Sequence, residues 1–192
     1  MSKRPVKIRM INRVENYLSD SAALDEYERA MREELEADGE QALMGAVSGE
    51  CFMGLCSDSD GEAPSIFETE GVMQEVNGAI TISYRSEIGG VFPTLFEFRF
   101  NSDERDSLAV VKASLFDEVY FFEKRCRRQT IVYEAENNAV ELSIYTKTLK
   151  NGITYEDGGC LEVEYYAEIR GGIVEHCKEF VIVEPVKEEQ HE

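Results

Sequence analysis

The chain has 192 residues, 39 acidic against 20 basic, for a formal charge of −19. That length suits one domain, able to bury about 70% of the surface its unfolded form exposes. The charge repels phosphate backbones and anionic lipid, which sets nucleic acid and membrane surfaces aside as partners.

The five cysteines, Cys51, Cys56, Cys126, Cys160 and Cys177, are odd in number and irregularly spaced, with two histidines beside them. No disulfide framework or zinc motif is legible, and neither a metal nor another cofactor is expected. The sequence starts Met1-Ser2-Lys3-Arg4-Pro5 and goes straight into alternating residues, without the apolar run of a signal peptide or membrane span. A reducing, cytoplasmic location is therefore the expectation.

Val6, Ile8 and Met10 alternate with Lys7 and Arg9, which predicts a first strand from about Pro5 to Val14. Ser19-Asp20-Ser21 then offers helix caps, and Leu24, Tyr27, Met31 and Leu35 recur at helical spacing until Asp38-Gly39. This predicts one inserted amphipathic helix. From Glu40 to Pro64 the chain has no period, yet it carries Leu43, Met44, Val47, Phe52, Met53 and Leu55. Helix and loop together form an insertion over residues 16–64, which either folds over the core or presents a partner surface.

Strands dominate after Pro64. Residues 65–76 turn at Asn77-Gly78, a strong hairpin signal, into 79–86. Residues 92–100 place Phe96, Phe98 and Phe100 on one face, a stripe suited to a core. Further strands are expected over 107–113, 119–123, 129–134, 139–150, 160–169 and 173–183, with an acidic tail from about residue 184. In the second-to-last of them Leu161, Val163, Tyr165, Ala167 and Ile169 oppose Glu162, Glu164, Tyr166, Glu168 and Arg170, so one face meets a core and the other meets water. Roughly ten strands in up-and-down order predict a mainly β, antiparallel barrel of eight to ten strands in a single domain over 1–192. A sandwich is the architectural alternative.

Four stretches carry a resemblance to a known family: Val6-Lys7-Ile8-Arg9, Phe67-Glu68-Thr69-Glu70-Gly71, the run Val140 to Leu149, and Gly159-Cys160-Leu161-Glu162-Val163-Glu164-Tyr165. In these the chain resembles the YwiB-like family of small bacterial proteins, and the resemblance implies that the barrel is calycin- or lipocalin-like. Where that family tends to show a Tyr-Thr-Pro-Tyr-Gly-like turn, Tyr133-Glu134-Ala135-Glu136-Asn137-Asn138 stands here, with Tyr133 alone kept in kind. The insertion also looks like an elaboration of a smaller plan.

No catalytic motif stands out. His176 and Cys177 are adjacent on a strand and must point to opposite faces, the wrong geometry for a nucleophile and its base. Glu70, in the best family match, would need an arginine partner inside a barrel. The basic turn Lys124-Arg125-Cys126-Arg127-Arg128 is a cationic concentration in an acidic chain. It suggests an anion clamp at a barrel mouth, with Arg128 at the strand entrance and Tyr133, Tyr145 and Lys147 on adjoining strands. Arg99 and Lys112, on mostly apolar strands, are further candidates to face inward. The reading is a non-enzymatic barrel for a small amphipathic or anionic ligand, with Glu70, Arg99, Arg128, Tyr133, Tyr145 and Lys147 as candidate ligand-binding residues. The alternative is a protein-interaction or self-association module that binds a partner or a second copy through the N-terminal insertion.

Overall fold

A computed structural model describes residues 2–16, 29, 64–86, 94–113, 117–124, 128–135, 138–169 and 173–186. Ten strands account for nearly all of them: β1 (Ser2–Asn16), β2 (Ser65–Val76), β3 (Ala79–Ser86), β4 (Thr94–Asn101), β5 (Ser107–Ala113), β6 (Asp117–Glu123), β7 (Arg128–Ala135), β8 (Asn138–Asn151), β9 (Gly159–Ile169) and β10 (Ile173–Pro185). The expected helix and the loop that follows it lie outside the described residues, apart from Arg29, a single helical and exposed position.

All pairings are antiparallel, and the strands form one sheet in the order β6-β5-β4-β3-β2-β1-β10-β9-β8-β7. That rules out the sandwich. β1 lies between β2 and β10, so the first strand joins the two halves of the meander. The sheet curls until its edge strands meet, giving a nearly closed barrel.

The seam falls between β6 and β7, which are consecutive in sequence but share no ladder. Gln129 bridges them. Its Oε1 accepts from the Phe121 N–H at 2.6 Å, and its Nε2 donates to the Val119 carbonyl at 2.9 Å. A side-chain amide thus supplies the donor and acceptor that a neighbouring strand would have offered, and blunts two exposed edges. Replacing Gln129 with leucine should lower stability by about 1–3 kcal/mol and speed hydrogen exchange at the Phe121 amide. Urea unfolding and exchange measurements check this, and an unchanged Phe121 amide would contradict the bridging role.

Alternation sorts the side chains. Val6, Ile8, Met10, Met73, Ile80, Ile82, Phe96, Phe98, Leu108, Val110, Phe122, Leu161, Val163 and Val181 are buried in one core inside the barrel. Lys7, Arg9, Glu68, Glu70, Arg85 and Arg99 occupy the opposite register and are exposed. A charged outside around an apolar inside is the reverse of a membrane-spanning barrel. The aromatic stripe of β4 does face the core: Tyr84 stacks on Phe96 at 5.1 Å, and Phe122 meets Tyr165 edge-on at 5.2 Å.

One end of the barrel is closed by its turns. Asn77 and Gly78 both take positive φ, 52° and 80°, as the predicted Asn-Gly turn requires. The longer turn between β8 and β9 folds back on itself through Gly152 N–H to Cys160 O (2.9 Å) and Thr154 N–H to Gly158 O (2.8 Å). This sends Ile153, fully buried, into the core. Arg4 ties the turn to β1 by donating to the Tyr155 and Glu156 carbonyls, both at 2.7 Å.

Candidate functional site at the polar end of the barrel

At the opposite end the inner register changes character. Along β1 the sequence Val6, Ile8, Met10 continues into Asn12, and along β10 Val183 and Val181 lead to Glu179, Cys177 and Glu175. Asn12 pairs with Glu179 across β1 and β10, while Thr146, Tyr165, Cys177 and Val14 form a row across β8, β9, β10 and β1. A carboxylate, a phenol, an amide and a hydroxyl therefore converge inside the barrel.

Glu179 is only 1% exposed and accepts a hydrogen bond from the Tyr165 hydroxyl at 2.8 Å. Thr146 is completely buried, and its Oγ1 has no hydrogen-bond partner. Stranding a hydroxyl in an apolar interior costs about 1–3 kcal/mol, so such a group is rarely idle. Burial pushes the neighbouring Glu175 carboxyl above its ordinary value. On the far wall Lys112 pairs with the buried Phe96, which places it on the inner register of β5, half-buried.

Outside the barrel, β8, β9 and β10 carry a second polar cluster. The irregularity between Thr146 and Thr148 makes Lys147 the extra residue of a bulge. Lys147 Nζ lies 3.4 Å from Glu164 Oε1 and 3.4 Å from the Tyr166 hydroxyl. His176 Nε2 sits 2.8 Å from the same Glu164 oxygen, and its ring stacks on Tyr166 with centroids 5.1 Å apart. The polar face of β9 was expected to be solvated, but Tyr166 is 1% and Glu168 4% exposed. Ring stacking accounts for this at Tyr166, which is flanked by Tyr145 of β8 and His176 of β10, whereas Glu168 has Ser143 and Val174 as its cross-strand neighbours.

Burial raises the Glu164 pKa, while the His176 hydrogen bond and the Lys147 charge lower it by more, leaving the carboxyl below its usual value. A carboxylate whose folded pKa is depressed stabilises the protein above its unfolded pKa, about 4.3, and that contribution is lost as pH falls through the folded value. The stability gap between the parent and Glu164→Gln should therefore narrow as pH drops through the acidic range. Urea unfolding at a series of pH values measures it, and a constant gap would contradict the ion pair.

Of the sequence-derived candidates, Glu70, Arg99, Tyr145 and Lys147 lie on the outer register. Glu70 is exposed on β2 opposite Lys7, in an open groove of about 460 Å³ whose lining includes Lys7, Arg9, Glu68 and Glu184. Arg9 and Glu68 pair there at 3.4 Å, both well exposed, which contributes little. Arg99 points outward from β4 and its Nε donates to Glu97 at 2.9 Å, so it is not the partner of Glu70. Arg128 and Tyr133 lie on β7, paired with Tyr145 and Val140 of β8. Tyr145 and Lys147 come together, but on the outer face beside Tyr166 rather than in the interior. Of the inward-facing suggestions, Lys112 is placed so and Arg99 is not.

Asn12, Thr146 and Glu179 are not among the sequence-derived candidates. The available signal was a polar residue interrupting the apolar register at the same end of β1, β8 and β10. Among the described residues no group of histidines, cysteines and carboxylates is disposed to hold a metal. Cys160 is exposed, and desolvation with the nearby Glu162 charge raises its thiol pKa, which disfavours a reactive thiolate.

Fold and site together define a ten-stranded antiparallel barrel with an apolar interior, one end closed by turns and the other lined by polar groups. In fold the chain is similar to the crystal structure of YwiB from Bacillus subtilis, with a TM-score of 0.55, 11% sequence identity, and an alignment covering 96% of this chain and 94% of that one. At that identity the likeness is one of fold alone. No family model and no curated protein matches the sequence.

Proposed function

We propose that this protein is a non-enzymatic, calycin-like barrel that binds a small amphipathic molecule. The apolar part of the ligand lies among the aromatic and aliphatic side chains of the interior, and its polar part meets Asn12, Thr146, Tyr165 and Glu179. The interior of a barrel of about this size can be filled by side chains or can hold one small ligand, and the charged exterior suits a carrier that stays in water. The observation that carries the reading is the fully buried, unpartnered Thr146 hydroxyl beside the Tyr165–Glu179 hydrogen bond. A protein gains little by placing such groups in a core unless something polar meets them.

N-phenyl-1-naphthylamine, a neutral probe that fluoresces in apolar surroundings, provides the test. Saturable enhancement with one probe per chain is expected, and Cys177→Phe, which adds bulk to the inner wall, should remove it while the far-UV spectrum stays that of a β protein. No saturable signal up to about 100 µM probe would remove the reading.

A further inference from the structure

On the outer wall, β1 carries a basic register beside the acidic one of β2. Pro5, Lys7, Arg9 and Ile11 stand opposite Val72, Glu70, Glu68 and Ile66 in four successive outward-facing rows. On the other side of β1, Glu184 of β10 lies beside Lys7. Arg85 of β3, also exposed, is the next residue past the end of the β2–β3 ladder on the side of Glu70. One row across four strands thus alternates acid and base, from Glu184 through Lys7 and Glu70 to Arg85. In a chain with a formal charge of −19, a locally balanced face of this kind is where two copies repel least.

We infer that this face binds a second copy of the chain, about a two-fold axis running along the strands between β1 and β2. That rotation lays β1 of each copy over β2 of the other and keeps every row in place. Lys7 then faces Glu70 of the second copy, Arg9 faces Glu68 and Glu184 faces Arg85, and symmetry makes each contact twice. Ile11 over Ile66 and Pro5 over Val72 add an apolar contact at either end of the patch, Ile66 being 55% and Val72 40% exposed in the single chain. A two-fold axis across the strands would instead lay β1 on β1 and β2 on β2, like charge on like. Within one chain Arg9 and Glu68 pair at 3.4 Å with both side chains in water, and a facing copy that excludes that water strengthens such pairs. The wall here is a groove of about 460 Å³, with room for long side chains of the other copy. Four strands about 4.8 Å apart, over roughly 20 Å of their length, offer a footprint of roughly 400 Å² per copy, the size of a weak and reversible contact.

Sedimentation equilibrium of the full chain, from about 5 to about 500 µM and at physiological salt to screen bulk repulsion, reads the association directly. A monomer-dimer equilibrium with Kd of about 100 µM is expected. Glu68→Lys with Glu70→Lys, and separately Lys7→Glu with Arg9→Glu, should each weaken self-association at least about tenfold. The first pair of changes makes an acidic chain less negative, so bulk repulsion alone predicts the opposite result. Mixed in equal amounts, the two variants should dimerise at least as tightly as the parent, because each basic strand then meets an acidic one. A chain with all four changes keeps opposite charges paired within its own sheet and between copies, and should associate as the parent does. It decides the matter should either two-site variant fail to fold, since loss of its self-association overturns the inference. A parent that is monomeric throughout also overturns it, whether the face stays bare or residues 17–63 of the same chain cover it. So do two-site variants that associate as the parent does, or that fail to pair with each other.

Discussion

A chain carrying Tyr165→Phe together with Glu179→Leu is expected to be at least as stable as the parent, and up to about 3 kcal/mol more stable, while losing ligand binding. The two groups are each 1% exposed and are joined by a 2.8 Å hydrogen bond. Forming that bond inside the protein recovers only part of the free energy lost by taking a carboxylate out of water. Apolar groups of similar size avoid the loss and extend the surface already made by Val163, Val181 and Phe122. The single change Tyr165→Phe behaves oppositely: it takes a donor from a buried carboxylate and should lower stability by about 1–3 kcal/mol. Urea unfolding of the parent, the two single variants and the double variant gives the coupling directly. A double variant more than about 2 kcal/mol less stable than the parent would mark the pair as structural, because it would then hold the barrel together rather than wait for a ligand.

Gly158→Ala is expected to be among the most damaging single substitutions, at about 2–5 kcal/mol. Gly158 takes φ of 71°, a conformation unfavourable for a residue with a side chain. An added Cβ would also lie 2.1 Å from the Val183 carbonyl oxygen and 2.8 Å from Pro185 Cδ. Since both obstacles belong to β10, the turn cannot yield without dislodging the strand that pairs with β1. The damage spreads to Ile153, which the turn holds in the core, and so to the closed end as a whole. A urea midpoint within experimental error of the parent would show that the turn is looser than its hydrogen bonds imply.

The strands were legible because this chain obeys period two wherever one face is buried. Phe96, Phe98 and Phe100 in β4 and Leu161, Val163 and Tyr165 in β9 fell on the face that the structure buries. The Asn77-Gly78 turn was readable because its backbone leaves few other choices. Closure was not readable, since it depends on the amide of Gln129 reaching across a seam without a ladder, and no sequence pattern marks such a contact. Facing direction failed where both registers mix. In β10, Phe180 and Ile182 stand outside while Cys177 and Glu179 stand inside, so alternation alone does not reveal that Glu179 points into the barrel. Glu70 and Arg99 drew notice for their charge on otherwise apolar strands, but their pairing with Lys7 and Glu97 is that of a solvated outer face. The informative pattern was spatial: Asn12, Lys112, Thr146 and Glu179 become neighbours of one end only after the strand order is known.

The central claim is that the polar end of the barrel interior receives a ligand. Methyl-resolved NMR, with the neutral naphthylamine titrated into protein labelled at threonine and isoleucine methyls, addresses it most directly. The Thr146 methyl, with Ile144 beside it on the inner face, is expected to shift progressively and saturate, while Ile153 at the closed end and the exposed Ile66 on the outer face of β2 stay in place. Shifts confined to Ile66 and other outer-face methyls, with Thr146 unmoved, would contradict it.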